Sequence, residues 1–146
     1  MDRRIFIKTL TGAGVVAYSS LLFPNVITSK KSKNFLASDF DLVAVRGGEP
    51  EIMFDRAIES LGGMQAFVKK NQKVLVKPNI AWDVVPEKAA NTNPKLVARI
   101  IEHCLNAGAK DVYVFDHTCD NWQRAYRNSG IEKAVRDSGG KMVPGN

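Results

Sequence analysis

From residue 40 onward, short apolar runs alternate with stretches whose apolar residues recur every third or fourth position. A run of four or five apolar residues suits a buried strand, whereas the three-and-four spacing paints one stripe on a helix. Their alternation predicts βα units, hence an α/β fold with a mainly parallel sheet and flanking helices, Rossmann-like in pattern. Residues 42–45 (Leu-Val-Ala-Val) predict a first strand that ends in the turn Arg46-Gly47-Gly48. Glu49 and Pro50 then open a helix with Ile52, Met53, Ala57, Ile58 and Leu61 on one face, stopped by Gly62 and Gly63. Residues 64–68 predict a short helical piece. A second strand at 73–77 (Lys-Val-Leu-Val-Lys) lacks alternation, the pattern expected when both faces are covered. After a long loop at 80–92, Asn93 and Pro94 cap and start a strong helix whose stripe is Leu96, Val97, Ile100, Ile101, Cys104 and Leu105. Gly108 stops it. The third strand, 112–115, runs into Asp116, His117, Thr118, Cys119 and Asp120. Helical stretches at 121–128 and 131–137 precede Gly139, Gly140 and the brief apolar pair Met142 and Val143. A parallel sheet closing on so short a strand has an open edge. The expectation is a domain that a partner or a continuation completes.

Ahead of this body the pattern changes character. Arg3, Arg4, Phe6, Ile7 and Lys8 stand in the order Arg-Arg-x-Phe-Ile-Lys, and residues 9–23 follow as a moderately apolar stretch. At about 15 residues, with two glycines and several hydroxyls, the stretch falls short of the roughly 20 that span a bilayer. The segment resembles a twin-arginine export signal, with Asp2 where a Ser or Thr usually stands. That resemblance implies recognition by the twin-arginine translocation machinery and export of an already folded chain, to a periplasmic or membrane-tethered, outward-facing location. Ala17-Tyr18-Ser19 offers a small-x-small cleavage match, and retention as an anchor is the alternative. Residues 28–38 read as a polar linker. The division is therefore 1–38, signal and linker, and 39–146, α/β domain.

Charge is informative only once it is located. The chain is +6, with 21 Lys and Arg against 15 Asp and Glu. Residues 1–38 hold six of the basic residues and one acid, leaving 21 − 6 = 15 against 15 − 1 = 14 in the body, a net of +1. A near-neutral body carries no electrostatic case for nucleic acid, and membrane contact is expected only through the N-terminal segment. The two cysteines, Cys104 and Cys119, are too few for a disulfide scaffold.

In open α/β sheets, ligands gather beyond the carboxyl ends of the strands. Lys77, Asn79, Thr92 and Asn93 fall there and form the candidate set for a small anionic ligand, the amine facing the same side as a helix N-terminus. The plain alternative is a lysine leaving a strand for solvent beside an ordinary turn. Asp116, His117 and Cys119 are the candidates for catalysis and for metal ligation, since they place a carboxylate, an imidazole and a thiol within four residues. Their alternative is a capped turn with a half-exposed histidine. No Cys-x-x-Cys or His-Glu-x-x-His spacing completes a metal site, and His103 lies on the helix. Cys104 falls in the apolar stripe and reads as core. Trp82 and Trp122 suit either stacking on a ligand or covering the sheet edge. Gly47 and Gly48 fall short of a dinucleotide fingerprint.

The ordered motifs Val74-Leu-Val-Lys-Pro-Asn79, Thr92-Asn-Pro94, Ala107-Gly-Ala-Lys-Asp-Val112 and Asp116, followed by Ser129-Gly-Ile131 and Gly139-Gly140, carry a family resemblance. Over about residues 41–146 the body resembles the family called domain of unknown function 362 (DUF362). The resemblance implies an α/β domain, sometimes joined to iron–sulfur ferredoxin modules, with no settled activity. The chain stops where such a domain would be about half complete. It has no ferredoxin-like cysteine cluster, so an iron–sulfur role does not carry over. The functional expectation is an uncharacterised exported domain that binds an anionic ligand, a metal or a cofactor at its sheet edge. A non-enzymatic binding module and a fragment without independent function are the alternatives.

Overall fold

Three segments, the first two valine-rich, pair into one parallel sheet, in the order β1 (Lys73–Val76), β2 (Asp111–Val114), β3 (Lys141–Met142). The register sets Lys73 opposite Asp111, Leu75 opposite Tyr113, and Tyr113 opposite Lys141. The structure, a computed structural model, describes residues 40–145. The export signal and linker expected over 1–38 lie outside the described residues.

Four helices accompany the sheet: α1 (Pro50–Ser60), α2 (Pro94–Asn106), α3 (Trp122–Asn128) and α4 (Ile131–Asp137), with 3₁₀ turns at Met64–Ala66 and Pro86–Lys88. The α/β class and each of these helices follow the sequence pattern. Proline starts α1 and α2, where its missing N–H is no loss. The Asn93 side chain accepts the Lys95 N–H at 2.9 Å, capping α2 as its position predicts. Val97, Ile101 and Cys104 of α2 are buried against Val112 and Val114 of β2, with Ile131 and Val135 of α4 and Tyr126 of α3 in the same core. Full burial of an aliphatic side chain contributes about 2 kcal/mol.

Two expectations are corrected. Residues 42–45 make no strand; Leu42 is 84% exposed, and the segment forms no ladder among the described residues. Apolar composition supplies propensity, but a strand needs a neighbour to take its N–H and C=O groups. Nor is β1 covered on both faces. Its burial alternates, with Val74 and Val76 against the core and Leu75 60% exposed. The physical reason is topological. The crossovers from β1 to β2 and from β2 to β3 step in the same direction, and right-handed crossovers that do so lay their helices on one face.

Outside the sheet, α1 is clasped to α2. Arg99 donates to Asp55 through Nε and a terminal nitrogen at 2.7 and 3.0 Å, and His103 Nε2 lies 2.8 Å from the same carboxylate. The Phe54 ring meets His103 edge-on. The hydrogen bond from Arg99 holds the Asp55 carboxyl below its ordinary range, and His103 adds to this.

Candidate functional site at the carboxyl edge

The segments that leave β1, β2 and β3 meet at one edge, with Asp116 at the centre. Its side chain is 4% exposed. A carboxylate taken so far from water needs partners, and it has two: Lys77 Nζ is paired with Oδ1, while the Ile80 N–H donates to Oδ2 at 2.7 Å. Tyr126, buried on α3, closes a second loop of bonds. Its hydroxyl accepts the Asp116 N–H at 2.8 Å and donates to the Asp116 carbonyl at 2.9 Å. Burial pushes the Tyr126 phenol above its ordinary value, and the adjacent carboxylate pushes the same way. After β3, Gly145 is buried against this turn. A Cβ there would sit 2.5 Å from Tyr126 Oη and closer still to the Asp116 carbonyl oxygen.

The long loop after β1 is held by side-chain to backbone bonds rather than by secondary structure. Asn79 and Thr92 exchange two bonds of 2.9 Å, one through the Thr92 hydroxyl, while the Asn79 amide reaches the Ala90 carbonyl and its oxygen accepts from Ala81. Asn91 brackets Trp82 in the same way, at 3.1 and 2.8 Å. The loop after β2 joins it: the Cys119 N–H donates to the Ala81 carbonyl at 3.0 Å, and Asp120 accepts the Asp83 N–H at 2.8 Å. Asp83 in turn binds Arg124 and Asn128 of α3. This density of bonds explains how a loop with a single short 3₁₀ turn is held in place.

The fold therefore brings Lys77, Asn79, Thr92, Asn93 and Asp116 to one edge, but each has an internal partner. His117 and Cys119 stand exposed on the neighbouring loop. Among the described residues, no three of His, Cys, Asp and Glu are gathered in a way that would hold a metal. An iron–sulfur cluster does not fit the cysteines: Cys104 is buried on α2, where burial raises its thiol, and Cys119 is exposed on a loop. Lys77 keeps 59% of its side chain exposed although its amine is paired. An ammonium offers three donors, so two of the Lys77 N–H bonds remain for another oxygen.

Sequence reasoning missed Tyr126 and Gly145. Tyr126 sits at helical spacing from Trp122, with which it makes an edge-on contact, and reads from sequence as packing alone. For Gly145 the signal was present, a glycine directly after Pro144 at a strand end, where backbones approach closely.

A stretch of 53 residues, 36% of the chain, is 40% identical to the thylakoid-associated protein sll1697 of Synechocystis sp.. The match spans 16% of that relative's length. No solved structure matches the chain. The family described as domain of unknown function (DUF362) matches over residues 74–146, which takes in all three strands beyond Lys73, the carboxyl-edge loops and the buried aspartate. With that match extending over 73 of 146 residues, the chain belongs to the DUF362 family.

Proposed function

We propose that this DUF362 chain is exported through the twin-arginine route and binds a small anionic ligand, a carboxylate or a phosphate, at the carboxyl edge of its sheet. One observation carries the binding reading: Lys77 is fixed by a buried carboxylate while more than half of its side chain faces solvent. The pair with Asp116 orients the amine in advance, so an incoming anion orders little that is not ordered already. The bonded loop of Asn79, Thr92 and Asn91 gives that amine a firm surround. Both Asp116 oxygens are occupied, which favours a holding role for it over proton transfer.

The ligand reading is tested by thermal shift of the full-length chain against a panel of carboxylates and phosphates. Hits are expected that Lys77→Ala abolishes, each compared with its own ligand-free melt. In the unaltered chain the same hits should protect Lys77 from an amine-acylating reagent, read by peptide mass. Binding that leaves Lys77 fully reactive sinks the assignment. The export reading rests on Arg3, Arg4, Phe6 and Lys8. Changing both arginines to lysine should strand a reporter fusion in the cytoplasm, and unaltered export of that variant would exclude the route.

A further inference from the structure

The three strands are parallel, so the residues that enter them meet at the opposite, amino edge of the sheet. Three segments far apart in sequence deliver lysines there: Lys69, Lys70 and Lys73 at the start of β1, Lys110 before β2 and Lys141 opening β3, with the Asp111 carboxylate among them. Their proximity is built into the backbone. The Asn71 N–H donates to the Gly108 carbonyl at 2.7 Å and the Lys110 N–H to the Gln72 carbonyl at 2.8 Å. Gly108, at φ 97°, lets the chain pass so near Lys70 that an added Cβ would stand 3.4 Å from its Cα. Lys141 Nζ lies 2.5 Å from Asp111 and over the Tyr113 ring. Among the described residues, Lys141 is the only one of the five in an ion pair. A body of net +1 thus holds a local surplus of four charges on one edge, 5 − 1 = 4.

Two large apolar side chains flank this cluster. Phe67, two residues before Lys69, is 57% exposed, and Leu75, next to Lys73 on the same sheet face, is 60% exposed. Lysines beside exposed apolar residues suit an anionic lipid surface: the charges meet headgroups and the apolar side chains enter the interface. A nucleic-acid duplex would meet the lysines but leave Phe67 and Leu75 in water, which disfavours it.

We propose that the amino edge of the sheet, with its five lysines flanked by Phe67 and Leu75, docks the folded domain onto membranes rich in anionic lipid. This extends membrane contact beyond the N-terminal segment and is independent of the anion site at the opposite edge. Net charge concealed the patch because the acids that balance it lie elsewhere.

The test is co-sedimentation of the full chain with vesicles of phosphatidylcholine alone and of phosphatidylcholine doped with phosphatidylglycerol. Three proteins are compared: the unaltered chain, the variant Lys69→Glu, Lys70→Glu, Lys110→Glu, and a control, Lys88→Glu, Lys95→Glu, Lys133→Glu. Both variants change net charge equally and keep the N-terminal segment, so its own lipid affinity cancels. The patch variant should lose at least about tenfold in partition onto doped vesicles while the control stays within about twofold. Phe67→Ser should lower the same partition without altering the melt. Equal losses in both variants, no loss in the patch variant, or no preference of the unaltered chain for doped vesicles would overturn the proposal. So would lysine-dependent binding of a DNA duplex with vesicle partition unchanged.

Discussion

At the carboxyl edge, Asp116 gives both carboxylate oxygens to partners and its backbone N–H and C=O to Tyr126; at the amino edge, among the described residues, Lys141 alone of five lysines is in an ion pair, with Asp111. Both edges are assembled by the same parallel topology, and both are charged. They differ in burial. A carboxylate at 4% exposure is tolerable only when paired, so its surroundings are fixed by stability. Lysines in water need no partner, so their clustering adds nothing to folding and stands free for another use. The comparison teaches that a site's contribution to folding is read from what is buried, whereas its availability to a ligand is read from what is not.

The comparison breaks first, and by the largest amount, at Lys77. Lys77→Ala leaves the Asp116 carboxylate buried with one neutral donor, and should destabilise the domain by about 3 kcal/mol in urea denaturation. Asp116→Ala should cost less, about 2 kcal/mol, because the released amine is already largely in water and the chief loss is the partner of the Ile80 N–H. The reverse order would show that Lys77, not Asp116, is the desolvated member. Tyr126→Phe removes a hydroxyl bonded twice to the Asp116 backbone, and about 1.5 kcal/mol is expected from the same measurement.

How much of this was legible beforehand differs between the edges. The helices, the α/β class and the convergence of Lys77, Asn79 and Asp116 are local or topological consequences of the pattern, and periodicity carries them. What was illegible is pairing. The strand expected at 42–45 fails because no local feature tells whether a ladder partner will be there. Covered faces were expected for β1 because its apolar run is continuous, yet Leu75 is exposed, since coverage depends on where later helices cross. The Lys77–Asp116 pair spans 39 residues, and nothing in either segment announces it. The basic edge was hidden for a related reason: a count over the whole body averages charges that the fold separates.

A third region calibrates the contrast. The Asp55 clasp between α1 and α2 is neither deeply buried nor free, and its carboxyl is held below the ordinary range chiefly by Arg99. A depressed folded-state value means that this contribution is fully present above the unfolded value near 3.9 and is lost as pH falls through the folded one. Asp55→Asn should therefore cost about 1 kcal/mol at neutral pH and nothing further in acid, giving a shallower loss of stability below about pH 4. Identical acid limbs in the two proteins would assign that loss to Asp111 and Asp137, which are also depressed by lysine partners.

The smallest expected effect bears most directly on the amino edge. Lys69→Glu, Lys70→Glu and Lys110→Glu alter exposed side chains in no ion pair among the described residues, so each should move stability by no more than about 0.5 kcal/mol. The sign is informative. Like charges in water repel weakly and are screened by salt. Relief of lysine crowding should make the triple variant marginally more stable at low ionic strength, and the difference should fade as salt is added. The new Glu at 110 beside Asp111 works against this, so Lys69→Glu with Lys70→Glu should stabilise more than the triple variant. Urea denaturation at two salt concentrations reads both differences. If the lysine reversals instead destabilise by several kcal/mol, the amino edge is held by its charges as the carboxyl edge is, and the distinction between the two edges fails.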